Sequence, residues 1–240
     1  MTTIPADHAP SREDVRASYD RVAEEYARRI AGELAHKPLD RTLLDAFAGR
    51  VRGAGPVVDA GCGPGHVTRY LADRGVEASG LDLSPGMVDQ ARALHPDVPF
   101  RVGDVTALDA EKGAWAGAVA YYSLIHLPRP VVVRALRELA RVLRPGAPLF
   151  IGFHAGSETR HMDEWWGQPV RLDFVFFSVG EMTGYLRQAG FTVEQVTERS
   201  AYPDVEAPTR RAYILATNAP ATAPSAAADP AERPTPAGAG

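Results

Sequence analysis

Three glycines at alternate positions, Gly61, Gly63 and Gly65, follow a carboxylate, Asp59, within the run from Val57 to His66. Each glycine removes a Cβ that would hold a ligand away from backbone N–H groups. An apolar pair, Val57 and Val58, reads as a buried strand leading in, and Val67 to Arg74 continues with helical spacing. That order of strand, glycine loop and helix start brings a ligand against bare backbone donors. Asp59 would repel a pyrophosphate and favour a ligand bearing an ammonium group. A dinucleotide loop also needs a third glycine where His66 stands, which disfavours a nicotinamide dehydrogenase. Two further carboxylates fall at predicted strand ends. Asp82 lies 21 residues beyond Gly61, where an acid accepts both hydroxyls of a ribose, and Asp104 follows Gly103.

Two histidines are placed where they could move protons. His126 follows a predicted fourth strand (118–123) and His154 ends a fifth (149–153). Imidazole titrates near neutrality, so either is a candidate general base or a hydrogen-bonded structural residue. His154 is the favoured one because it opens into a segment rich in aromatics. That segment, 155–177, reads as irregular and holds His161, Trp165, Trp166, Phe174, Phe176 and Phe177. Such a set suits a flat, apolar acceptor held by stacking. Trp165 and Trp166 read as pocket residues, with His161 and Phe177 beside them, and Phe174 and Phe176 as core. Alternation over 172–177 also fits an extra short strand. Arg210 and Arg211 flank the last strand; solvent exposure is the expected state, pairing with a substrate carboxylate the alternative. Cys62, inside the glycine loop, reads as a small filler.

The elements that must position these residues follow from periodicity. Ser11 with Asp14 forms a capping pattern before a helix running to about Gly32. Its Tyr19, Val22, Ala23 and Tyr26 share one face, as a packing stripe or as a cover over a site. A second helix spans 38–51, and a breaker of glycine and proline precedes the first strand. Strands at 76–83 and 98–102 flank a helix opened by Ser84-Pro85. The helix over 129–144 buries Val132, Leu136 and Leu139, and its arginines at 134, 137, 141 and 144 read as a solvated face. Alternation of strands with helices implies a parallel sheet covered on both faces. A helix over 179–188 then leads to strands at 191–196 and 210–217. Their link is too short for a helical crossover, so they should form an antiparallel hairpin.

With its company downstream, Asp59-Ala60-Gly61-Cys62-Gly63-Pro64-Gly65 resembles motif I of the class I S-adenosylmethionine-dependent methyltransferases. Asp82, the Gly103-Asp104 pair and the Leu143-Arg144-Pro145-Gly146 turn match later motifs in order and spacing. The resemblance implies a Rossmann-like α/β fold: a doubly wound, seven-stranded, mostly parallel sheet with an antiparallel last strand and an N-terminal helical lid. It implies S-adenosyl-L-methionine as cofactor, with Asp59 and the loop holding the methionine part, Asp82 the ribose and Asp104 the adenine. Contact is expected to extend to Ala60, Cys62, Leu83, Met87, Gly103, Val105, Tyr122 and Ser123. Tyr19, Tyr26 and Arg29 are the lid candidates over the cofactor, and Tyr19, His126 and His154 also border the acceptor. No metal site is expected. The stretch 156–208 matches no motif of the family.

Composition bounds the partners. The chain has 240 residues, a formal net charge of −4 and one cysteine, ordinary for a globular domain in a reducing, cytoplasmic setting. The charge argues against a nucleic-acid partner, and no apolar run is long enough to cross a membrane. The expected organisation is a flexible start (1–10), a helical cap (11–52), a methyltransferase domain (53–218) and a disordered alanine- and proline-rich tail (219–240). The expected activity is methyl transfer to oxygen, nitrogen or carbon of a small aromatic or apolar molecule of specialised metabolism, by a monomer or homodimer. The rivals are a tRNA or protein methyltransferase and a cofactor-binding regulator without turnover.

Overall fold

The computed structural model describes residues 9–219. The expectations for residues 1–8 and 220–240 lie outside them. Among the described residues nine strands form in chain order: β1 (Val57–Ala60), β2 (Ala78–Asp82), β3 (Phe100–Val102), β4 (Gly117–Tyr121), β5 (Pro148–Ala155), β6 (Thr159–Trp165), β7 (Gln168–Val175), β8 (Phe191–Arg199) and β9 (Arg210–Asn218). Six α-helices accompany them: α1 (Arg12–Ile30), α2 (Pro38–Val51), α3 (His66–Ala72), α4 (Pro85–Leu94), α5 (Arg129–Val142) and α6 (Val179–Gln188).

Seven strands make one sheet in the order β3-β2-β1-β4-β5-β9-β8. The neighbours from β3 to β5 pair in parallel, and β9 runs antiparallel to both β5 and β8. This is the mostly parallel sheet with an antiparallel last strand that the resemblance implies. Successive residues of a strand face opposite layers. Val58, Ala118, Ala120, Leu149 and Ile151 pack on α5 and α6 with Leu136, Leu139 and Met182. Val57, Val119 and Phe150 pack the other way, on α2 and α3. From α2 come Leu44, Phe47, Ala48 and Val51, all fully buried. Burying side chains of this size contributes roughly 1.5–3 kcal/mol each, which fixes α2 as a layer of the core.

Three details differ from the sequence reading. The crossing from β3 to β4 (103–116) contains no helix. It is tied down by Arg141, which donates to the carbonyls of Leu108 and Ala110, so this arginine is structural rather than solvated. Likewise Arg144 donates to the carbonyl of Ala54. The segment expected to be irregular is an antiparallel hairpin, β6-β7, with a register shift between Met162 and Glu164. Its two-residue turn is Trp166-Gly167, with φ of +53° and +77°, the primed turn that matches strand twist.

That hairpin and α1 form one roof. Val22 and Ala23 of α1 bury against Val170 and Leu172 of β7 and Met87 of α4. The Arg171 N–H donates to Ser18 Oγ at 2.8 Å. Helix α1 starts in a capping box, Ser11 with Asp14, and Asp20 pins it to α4. Asp20 Oδ1 accepts from the Ser84 hydroxyl (2.6 Å) and the Gly86 N–H (2.9 Å).

Candidate active site

Beneath this roof, at the carboxyl ends of the central strands, lies a cavity of about 880 Å³. Small-molecule pockets range over roughly 300–1,000 Å³, so there is room for two ligands side by side. The glycine loop forms its floor. Gly61 has φ +81°, and a Cβ there would stand 2.2 Å from Ser123 Cβ. Gly63 also faces the cavity, whereas Gly65 caps α3 against the ring of Phe100 and does not reach the wall. Ala60 lies buried beneath the loop.

Asp82 is held by the loop it serves. Its Oδ2 accepts from the Gly63 N–H (2.8 Å) and its Oδ1 from the Ser84 N–H (2.9 Å). Burial pushes this carboxyl up, and the two N–H groups work against that. Each oxygen keeps one lone pair for the cavity. Asp104 accepts from the N–H and hydroxyl of Thr106 and pairs with Arg12 at 2.9 Å, so the start of α1 closes over it. Cys62, Leu83, Met87, Gly103, Val105, Tyr122 and Ser123 also line the wall. Asp59 does not. It lies one layer behind the loop, with Oδ2 accepting from the Thr68 hydroxyl and Oδ1 without a hydrogen-bond partner. Burial raises it to about 6.

The loop N–H groups expected to meet a ligand are spent within the chain, those of Gly61 and Cys62 on the Leu81 carbonyl and that of Gly63 on Asp82. What remains suits S-adenosylmethionine: a loop floor free of side chains at its glycines, a preorganised carboxylate for ribose hydroxyls, a second for an exocyclic amine, and an orphaned carboxylate oxygen behind the floor to favour an ammonium. Besides Asp59, Ala60 and Gly65, one more expected contact does not reach the cavity. Arg29 turns outward, pairing with Glu25 and stacking on Trp166 at 5.0 Å, because its position on α1 faces away from the strand ends.

The roof supplies an aromatic wall of Tyr19, Tyr26, Trp165, Trp166, Phe174 and Phe176. Tyr26 meets Trp165 edge-on at 5.5 Å, and Phe176 stacks on His154 at 5.1 Å. Phe174 and Phe176 thus exchange places with Phe177. Phe177 is fully buried against Phe153, because it bridges to Ala155 at the end of β5 and faces α6.

Four histidines line the cavity: His66 lies 3.3 Å from Glu33, and the other three are in different states. His126 Nδ1 donates to the Asp173 carbonyl (3.0 Å), so Nε2 accepts from the Tyr19 hydroxyl (2.6 Å). Burial lowers it to about 4. His154 lies 2.9 Å from Thr209 Oγ1 through Nδ1. Burial, then the charge of Arg211, lowers it to about 3. Neither is poised near neutrality as an efficient general base would be. His161 bridges Asp173 and Asp163, each at 2.7 Å, and the bond to Asp173 raises its pKa.

The sequence reading missed one end of the cavity. Glu33, Lys37, Glu206 and Arg211 meet there, and Arg211 is 3% exposed, buried rather than solvated. Lys37 Nζ pairs with Glu33 (2.8 Å) and Glu206 (3.3 Å), and Arg211 Nε lies 2.9 Å from Glu206. Arg199 joins Glu206 to the buried Asp40. Arg211 shares the parity of Tyr213, a core residue stacked on Phe150, and that parity was the available signal. Lys37 and Glu206 sit in connections without periodicity and carried none.

A family model described as a methyltransferase domain matches residues 57–146. A malonyl-[acyl-carrier protein] O-methyltransferase of Pseudescherichia vulneris is 30% identical over 165 residues, 66% of this chain and 61% of that protein. A trans-aconitate 2-methyltransferase of Methylobacterium nodulans is 38% identical over 140 residues, 56% of this chain and 47% of that protein. The chain thus spans about half to three-fifths of these curated relatives. Among solved structures, a Burkholderia thailandensis 1,6-didemethyltoxoflavin-N1-methyltransferase holding S-adenosylhomocysteine superposes with TM-score 0.66 at 21% identity, covering 92% of each chain. At that identity the likeness speaks for the fold.

Proposed function

We propose that this chain, which belongs to the class I S-adenosylmethionine-dependent methyltransferases, moves a methyl group from S-adenosyl-L-methionine to a small-molecule acceptor. The observation that carries this is Asp82, locked by the N–H groups of Gly63 and Ser84 beside a bare glycine loop, in a cavity with space for a second ligand. When bound, the cofactor brings a methyl group on a positively charged sulfur and so supplies its own leaving group.

The chain's residues bind and orient. Asp82 takes the ribose hydroxyls, Asp104 the adenine amine, and Gly61 to Gly63 offer backbone to the methionine part. Asp59 acts through its field from behind the floor. Tyr19 and Tyr26 close over the transfer point and exclude water. Holding two reactants in line is worth roughly 7–11 kcal/mol by itself. With His126 and His154 neutral and their pKa values far below 7, the acceptor is one that enters already nucleophilic. The relatives that methylate oxygen support an oxygen acceptor. The aromatic wall supports a flat or apolar body in the acceptor.

Calorimetric titration tests this reading. S-adenosylmethionine should bind with micromolar affinity while NAD gives no heat. Binding of NAD in preference, or of neither, would refute it.

A further inference from the structure

The charged end of the cavity holds donors that nothing in the chain uses. Arg211 is almost wholly buried and lines the cavity. Its Nη1 donates to the carbonyls of Ala207 and Thr209 and to Thr209 Oγ1. Its Nη2 donates to no described residue. Its Nε, though close to Glu206 Oε2, is off the hydrogen-bonding line. Nε is enclosed and faces Glu206, so Nη2 is the nitrogen left to reach a ligand in the cavity.

His154 presents a third donor. Thr209 Oγ1 accepts from Arg211, and among the described residues the acceptor within reach of its own proton is His154 Nδ1 at 2.9 Å. The ring proton then sits on Nε2, which has no partner among the described residues. Lys37 Nζ, with two of its three hydrogens spent on Glu33 and Glu206, borders the same space.

The acceptors nearby are by contrast saturated. Glu206 answers Lys37, Arg199, Arg211 and the Tyr202 N–H. Asp40 answers Arg199, Tyr121 and Tyr213. Counting Glu33, which is divided between Lys37 and His66, three cations face three carboxylates. The surplus is therefore one of hydrogen-bond donors rather than of charge, which suits a monoanion better than a dianion. The place adjoins the transfer point: Tyr122, ring to ring with His154 at 5.0 Å, precedes the Ser123 that touches Gly61. Tyr122 is held at φ +56°, a left-handed conformation that non-glycine residues adopt under tertiary constraint.

We propose that Arg211, Lys37 and His154 form an anchor for a carboxylate carried by the methyl acceptor, whose apolar part lies along the aromatic wall. The inference rests on the methyltransferase reading and narrows its substrate class to small organic carboxylates.

The test is titration of the full-length protein, saturated with S-adenosylhomocysteine, with four probes of one shape: benzoate, benzamide, benzylammonium and phenyl phosphate. Benzoate should bind at least tenfold more tightly than the other three. Arg211→Met should remove that preference and leave the affinity for S-adenosylhomocysteine within about twofold. If Arg211→Met does not fold, Lys37→Met is measured, with at least a threefold loss for benzoate expected. Equal or better binding of the amide, the amine or the phosphate would overturn the proposal, as would a variant with undiminished benzoate affinity. Failure of S-adenosylhomocysteine to bind would strike the methyltransferase reading instead, and the benzoate preference is then measured on the protein alone.

Discussion

Replacing Asp82 with asparagine keeps the shape of the side chain and should still weaken the site. Both carboxylate oxygens accept a backbone N–H, from Gly63 at 2.8 Å and Ser84 at 2.9 Å. An amide has one oxygen, so either rotamer points its NH₂ group at a backbone donor. One buried N–H then goes unsatisfied, at a cost of about 1–3 kcal/mol. The ribose also loses a charged acceptor. Hydrogen bonds to charged groups contribute about 1.5–3 kcal/mol, and this carboxylate needs no reorganisation because the loop already holds it. Asp82→Ala should therefore raise the Kd for S-adenosylmethionine by about 10–150-fold, and Asp82→Asn, which keeps one acceptor oxygen, toward the lower end of that range. Asp82→Asn should also melt below the wild type. Calorimetry and thermal melting read the two effects separately. Wild-type cofactor affinity in Asp82→Asn would refute both the lock and the ribose assignment.

Two further outcomes depend on burial alone. Gly61→Ala puts a Cβ 2.2 Å from Ser123 Cβ at φ +81°, so strain and overlap should cost about 2–4 kcal/mol; an unchanged denaturation midpoint would show the loop to be loose. His126 and His154, lowered to about 4 and about 3, stay neutral in the folded chain while the unfolded chain takes up protons below its ordinary value near 6.5. Each should therefore withdraw about 2 kcal/mol of stability between pH 7 and pH 5. Asp59, raised to about 6, works in the opposite sense, its burial cost growing as pH rises from about 4 to 6. His126→Gln should flatten the acid limb of a denaturation profile measured across this range, and an unaltered slope would mean that the imidazole is not desolvated.

Local pattern carried much of this molecule. The strand, glycine loop and Asp82 follow from residue types a few positions apart. The bounds of α2, α4 and α6 follow from Pro38, Ser84-Pro85 and Ser178, which stop or start a helix wherever they stand. The layered sheet follows from alternation, because a strand must turn successive side chains to opposite faces. What the chain does with its histidines does not follow from such signals. His126 is disarmed by Tyr19, 107 residues earlier, and by the Asp173 carbonyl, 47 residues later. Phe176 and Phe177 differ by one position, and only the bridge of Phe177 to Ala155 decides which ring reaches the cavity. The buried charges are the extreme case. Lys37, Glu206 and Arg211 come from separate connections and strands, and of the three only Arg211, by its parity with Tyr213, carries a local signal. Their burial is tolerable only because each supplies the countercharge for another, and that condition exists only once the sheet has brought them together.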